Sequence, residues 1–179
     1  LVSSVDCVSS APVILDPNTA HPRLVLSDDL TSVRFRGYQP VPDNPERFDY
    51  HRCVLGSEGF NSGAHCWDVE VKQSKHWRLG VTTASNQRKG GGFFNTGVWF
   101  VEYDYDGWYS LGSGFDVKQQ LDRVRVNLDY NGGTVSFSDP VTNTHLHTFT
   151  TSFTHTLFPF FLHLFIFKNE ELLKHVMKG

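Results

Sequence analysis

Cysteine is scarce in this chain: three occur among 179 residues, and Cys7, Cys53 and Cys66 make no paired C-x-x-C spacing. That spacing argues against a structural zinc site, and the odd count leaves at least one thiol without an intrachain partner. Such usage reads as a reducing, cytoplasmic setting. The absence of an N-x-[ST] glycosylation acceptor agrees with it. An excess of positive charge is also missing. With 16 basic and 19 acidic side chains the net charge is -3, which does not suit a general binder of nucleic acid or anionic membrane. Long apolar runs are absent too. The longest, Leu157 to Phe167 with His163 inside it, is too short to cross a bilayer. The opening Leu1-Val2-Ser3-Ser4 lacks the basic segment and apolar stretch of a signal peptide, and the missing initiator methionine reads as a piece of a longer protein.

What is present is alternation. Trp67, Val69 and Val71 share one face of a segment whose other face carries Asp68 and Glu70. Trp77, Leu79 and Val81 repeat the pattern, as do Val124, Val126 and Leu128 opposite Arg123, Arg125 and Asn127. Period two with polar alternates predicts half-buried strands. Val98 to Val101 lacks polar alternates, which predicts a strand covered on both faces. Tyr130-Asn131-Gly132-Gly133 predicts a tight hairpin turn, since glycine and asparagine tolerate positive φ. Many short strands with glycine-marked connections, and no continuous βα alternation, predict an all-β, two-sheet antiparallel sandwich. One domain is expected at this length, because about 70% of the unfolded surface would be buried. The last segment, Asn169 to Lys178, has an N-cap, early acids and late lysines, and reads either as a short terminal helix docked on the sandwich or as a frayed tail.

Catalytic chemistry finds little support. Gly90-Gly91-Gly92 beside Arg88 and Lys89 lacks the spacing and GK[ST] ending of a phosphate-binding loop. His145 and His147 share one side of a strand but have no third ligand at a defined spacing, so no metal is expected. Asp68 with Glu70, and Asp104 with Asp106, read as surface and turn carboxylates. The chain is expected to be no enzyme and to hold no cofactor. Aromatic side chains carry the stronger signal: 14% of residues are Phe, Trp or Tyr, and those in loops are candidates for a protein interface.

Several ordered motifs then converge. They are Leu15-Asp16-Pro17-Asn18-Thr19-Ala20-His21-Pro22, Leu55-Gly56-Ser57-Glu58-Gly59-Phe60, Gly63 through Val71, Trp77-Arg78-Leu79-Gly80-Val81, Gln87-Arg88-Lys89-Gly90, and Leu128 through Phe137. Together they resemble the PRY–SPRY, or B30.2, domain of tripartite-motif (TRIM) proteins, butyrophilins and fish NLR-like receptors. The resemblance spans about Val13 to Phe161, with Asp68 for the usual glutamate, Cys66 where an aromatic is common and Asn131 for another glutamate.

The resemblance implies a bent sandwich over 1–179, with a PRY part at about 10–55 and a SPRY part at about 56–179. It implies a non-catalytic recognition module whose variable loops, at one end of the sandwich, bind a protein target. The parent would be a TRIM-type E3 ubiquitin ligase, its chemistry in a separate RING domain, or an NLR-like innate immune protein. Antiviral roles are frequent among such relatives. The loops fall at Gly37 to Tyr50, Ala84 to Asn95 and Gly112 to Leu121, with Asp104 to Trp108 added to the rim.

Candidate contacts are Tyr38, Arg47, Phe48, Arg88, Lys89, Phe93, Phe94 and Phe115. Asp16, Trp67, Glu70, Trp77 and Leu128 read as scaffold. Two other readings stay open: a pocket for a phosphorylated metabolite, to which Arg88 would contribute, and self-association. A dimer would form through the parent's other domains or through an unpaired Leu157–Phe167 edge.

Overall fold

The computed structural model describes residues 13–107, 113–163 and 175–178. Among these it has twelve strands and no helix. In chain order they are β1 (Leu24–Leu26), β2 (Ser32–Phe35), β3 (Cys53–Leu55), β4 (Ala64–Glu70), β5 (His76–Thr83), β6 (Val98–Asp104), β7 (Phe115–Asp116), β8 (Arg123–Asp129), β9 (Thr134–Asp139), β10 (Thr144–Thr150), β11 (Leu157–His163) and β12 (His175–Lys178). One sheet has the order β1-β2-β12-β4-β8-β9-β10, and the other β3-β11-β5-β6-β7. The pairings are antiparallel except β6 with β7, which is parallel.

The alternating segments become strands because each presents one apolar face. On β8, Val124, Val126 and Leu128 are buried while Arg123, Arg125 and Asn127 face outward. Arg125 opposes Asp68 of β4 and donates to its two oxygens at 2.7 and 3.0 Å. The turn after β8 closes as its composition predicts: Gly133 has φ +71°, and Gly132 N–H donates to Asp129 Oδ1 at 2.9 Å.

The five-stranded sheet is buried on both faces. Val54, Trp77, Leu79, Val81, Val101, Leu157 and Phe161 face the seven-stranded sheet and join its Trp67, Val69, Val124 and Val126 in the main core. The alternate positions of the same strands, Cys53, Leu55, Val98, Phe100, Phe160 and Leu162, face the other way. There they pack with Phe48, Phe93 and Phe94 in a second core. Period two explains the split, since neighbouring side chains leave a strand on opposite faces. The molecule therefore has a third layer, built from loops, over one sheet.

Gly80 marks how tightly β5 and β6 approach. A Cβ there would collide with the Trp99 carbonyl oxygen. Gly80→Ala is expected to destabilise the fold by about 1–3 kcal/mol, as overpacking does, and urea unfolding would measure it. A variant as stable as the parent would contradict the close approach.

The C-terminal expectations change. Residues 169–174 lie outside the described residues, and His175–Lys178 is a strand rather than the end of a helix. It pairs with β2 on one side and β4 on the other. Hydrogen bonding on both sides outweighs a ten-residue helix, which is marginal by itself. Leu157–His163 is likewise no free edge. It runs between β3 and β5, bonded to both, so that part of the apolar run is unavailable for edge-to-edge dimerisation. Residues 164–167 lie outside the described residues.

Candidate functional site

The loop layer is made from the β2–β3 and β5–β6 connections, which are stitched together. Lys89 Nζ donates to Asp43 Oδ1 at 2.7 Å, and Gly90 N–H to Asp49 Oδ1 at 2.8 Å. Arg88 donates from Nη1 to the Glu46 carbonyl at 3.0 Å and from Nη2 to the Ala84 carbonyl at 3.3 Å. His51 Nε2 lies 3.4 Å from the Gly91 carbonyl. Within the second loop, Asn86 Nδ2 donates to the Phe93 carbonyl at 2.9 Å and to Thr82 Oγ1 at 3.0 Å. Two polar, glycine- and proline-marked loops thus form one platform on a rigid sheet, the arrangement in which binding residues are commonly displayed.

Its electrostatics follow from these bonds. The Lys89 ammonium, by hydrogen bond and charge, holds the exposed Asp43 carboxyl below its ordinary value. Burial lowers the His51 pKa, with the Arg78 charge adding to the effect. Burial also lowers the Arg88 pKa somewhat, and Glu46 and Asp16 counter it.

The structure separates the eight candidate contacts. Tyr38 is 69% exposed. Lys89 is partly exposed, and Arg88 is half-buried with its guanidinium committed to carbonyl oxygens. Phe48, Phe93 and Phe94 are not projecting anchors. They are 0%, 1% and 5% exposed and form the underside of the platform. The Phe48 and Phe93 rings meet edge-to-face at 5.0 Å, as do Phe93 and Phe94 at 4.9 Å.

Arg47 is not a free surface cation either. It is 8% exposed and donates to three carbonyls: Pro42 from Nε at 2.9 Å, and Pro17 and Ala20 from Nη1 at 3.1 and 2.7 Å. Phe115 lies on β7, with its ring stacked 4.4 Å from the His147 ring of β10. It packs against the main core rather than reaching the platform.

The remaining loops divide between the two ends of the strands. Ser113 reaches the platform, where its hydroxyl donates to the Phe94 carbonyl at 3.2 Å. Val117 and Leu121 turn into the main core. Asp104 to Gly107 follows the far end of β6, away from the β5–β6 loop that precedes its start. Asp104 instead faces His76 at 3.4 Å. It does not belong to the rim, and Trp108 lies outside the described residues. Of the scaffold candidates, Trp67, Trp77 and Leu128 are each 1% exposed, Asp16 Oδ1 accepts Asn18 N–H at 3.0 Å, and Glu70 meets Arg123 at 3.3 Å.

Sequence reasoning passed over Tyr50. It is 64% exposed, stands edge-to-face with His51 at 4.9 Å, and lies beside Gly91. In the sequence it is a tyrosine flanked by Asp49 and His51 in a polar loop, two residues after Phe48, and that spacing does not tell the exposed ring from the buried one.

Comparison with known proteins matches the SPRY-associated domain, PRY, at residues 13–60 and the SPRY domain at residues 64–172. Mouse butyrophilin subfamily 2 member A2 is 44% identical over 159 residues, covering 85% of this chain and 31% of that protein. Nuclear factor 7, ovary, of Xenopus laevis is 39% identical over 172 residues, covering 90% of this chain and 28% of that protein. The chain thus spans about a third of the length of these curated relatives. Among solved structures, the TRIM65 PSpry domain aligns over 93% of this chain and 88% of its own, with a TM-score of 0.70 and 21% identity. Stonustoxin aligns over 93% of this chain and 26% of its own, with a TM-score of 0.67 and 27% identity.

Proposed function

Because this chain belongs to the PRY–SPRY family, a protein-interaction module, we propose that it captures a protein target on the platform of the β2–β3 and β5–β6 loops. We place it as the target-binding part of a larger cytoplasmic protein, a TRIM-type E3 ubiquitin ligase or an NLR-like innate immune protein. The observation that carries the reading is Tyr50. A large aromatic, 64% exposed, stands on loops fixed by four cross-loop contacts. Tyrosine supplies amphipathic contact area with few torsions to freeze, which is why it dominates many interfaces. Tyr38 and Lys89 are the further contacts this reading assigns. Arg88, Arg47 and the buried phenylalanines support the surface from below.

Tyr50→Ala is expected to abolish or strongly reduce target capture, by about tenfold or more for a side chain at the centre of an interface. Its melting temperature should match the parent's, because the ring is exposed. Proximity labelling in cells, with the parent domain and the Tyr50→Ala domain side by side, checks this. Proteins enriched by the parent and lost with the folded variant name the target. Equal enrichment would refute the platform as the recognition surface.

A further inference from the structure

A second surface lies on the PRY side, lined by none of Tyr50, Arg88, Lys89 or Asp43. It is a groove of about 500 Å³ bounded by Pro17, Asn18, Ala20 and His21, by β1 and the residues after it, and by Gln39, Val41 and Arg47. Its size falls in the range that holds a drug-sized ligand or a short peptide segment.

Two features indicate what it takes. The first is Arg47, which is 8% exposed and lines the groove. Its Nε and Nη1 are engaged by the Pro42, Pro17 and Ala20 carbonyls. Its Nη2, with two N–H donors, has no acceptor among the described residues. A guanidinium held rigidly by three carbonyls, with donors to spare, is preorganised for a carboxylate. Asp28 is the carboxylate on the same lining, and the neighbouring His21 is neutral at pH 7, because burial and the charges of Arg52 and Arg23 hold its pKa down at about 4.

The second is the strand that forms the wall. β1 is the outermost strand of its sheet, and Leu24, Val25 and Leu26 all line the groove. Ser27 N–H bonds across to the Ser32 carbonyl of the β2 side. Antiparallel alternation therefore turns the N–H and C=O of Leu26 away from β2, along the open edge. Leu30 and Val41, the latter 37% exposed, add apolar wall.

We propose that this groove binds an internal, extended acidic segment of a partner protein. The segment adds as a strand along β1, and one of its Asp or Glu side chains meets Arg47 Nη2. Backbone pairing supplies affinity and the carboxylate sets the register, as in other strand-addition sites.

The test uses three pentapeptides of alternating valine and threonine. One is acetylated and amidated with a central glutamate, one has a central glutamine, and one has the glutamine and a free C-terminal carboxylate. Titration into the 15N-labelled chain is followed at the Leu26 amide and at Arg47 Nε–H. Saturable shifts at both sites, with the glutamate peptide at least about tenfold tighter than either glutamine peptide, are expected from a charge-assisted pair. Val41→Asp, which sets a competing carboxylate on the groove wall without touching the core, should remove that preference. Equal binding of the glutamine peptide, preference for the free C-terminal acid, absence of saturable shifts, or indifference to Val41→Asp would each overturn the proposal. None of these outcomes bears on target capture by Tyr50, so the two surfaces stand or fall separately.

Discussion

Arg78→Met is expected to destabilise the chain by about 3–5 kcal/mol, the typical result of removing one member of a buried ion pair. At this size that corresponds to a melting temperature lower by about 10 °C or more. Arg78 of β5 and Glu102 of β6 sit directly opposite each other, each 1% exposed, with Nε and Oε2 2.8 Å apart. Both leave their strands on the face of the second core, so methionine at 78 strands a carboxylate beneath the loop layer. The guanidinium also lies 4.9 Å from the centre of the Phe94 ring, so the floor of the platform loses a cation–π contact as well.

The double variant Arg78→Met with Glu102→Leu separates the causes. It removes both charges and fills the space with apolar atoms, and should recover most of the loss. Urea unfolding of the parent, both single variants and the double variant measures the coupling. A single variant within about 1 kcal/mol of the parent would show that the pair is not desolvated as its burial implies. A double variant as poor as Arg78→Met would show that the guanidinium acts through Phe94 rather than through Glu102.

The same pair illustrates what the linear sequence conveys and what it does not. Arg78 alternates with Trp77 and Leu79, the pattern that predicts a half-buried strand. A charged residue on a strand looks the same whether its face meets water or a layer of loops. Only the pairing of β5 with β6 brings Glu102 opposite, and only the loop layer, folded over that face, covers the two. The sandwich itself was legible because period two is local: Trp67, Val69, Val124 and Val126 declare their face within a few residues. The hairpin at Gly132 and Gly133 was legible for the same reason.

The platform was partly legible. Its loops could be located by glycine, proline and polarity, but a loop has no period, so Phe48, Phe93 and Phe94 carry no mark of which way they point. Arg47 misled in the opposite direction. A lone arginine beside Asp49 and Glu46 resembles a surface cation, yet its partners are backbone carbonyls of Pro17, Ala20 and Pro42. Carbonyls leave no trace in the identity of the residues that carry them. β12 failed as a helix because four residues gain more from two neighbouring strands, distant in sequence, than from their own capping signals.

Phe93 gives the sharpest contrast between an anchor that projects and a floor that supports. The ring is 1% exposed, meets Phe48 and Phe160 edge-to-face at 5.0 and 5.3 Å, and follows the three glycines at the top of the β5–β6 loop. Phe93→Ala is expected to cost about 3–5 kcal/mol, as truncation of a fully buried phenylalanine does. The loss should be unevenly spread. The second core holds the loop layer on the sheet, whereas the β8–β9 hairpin belongs to the main core, so amide exchange should accelerate from Asn86 to Asn95 before it does from Val124 to Phe137.

Target capture would fall too, but as a consequence of the loosened platform, and lower temperature should restore part of it. A projecting anchor behaves differently: its truncation leaves stability and exchange unchanged and removes binding at every temperature. Stability, exchange and capture measured on Phe93→Ala therefore distinguish the two roles. With Tyr50→Ala alongside, they assign the surface that touches the target and the layer that holds it in place.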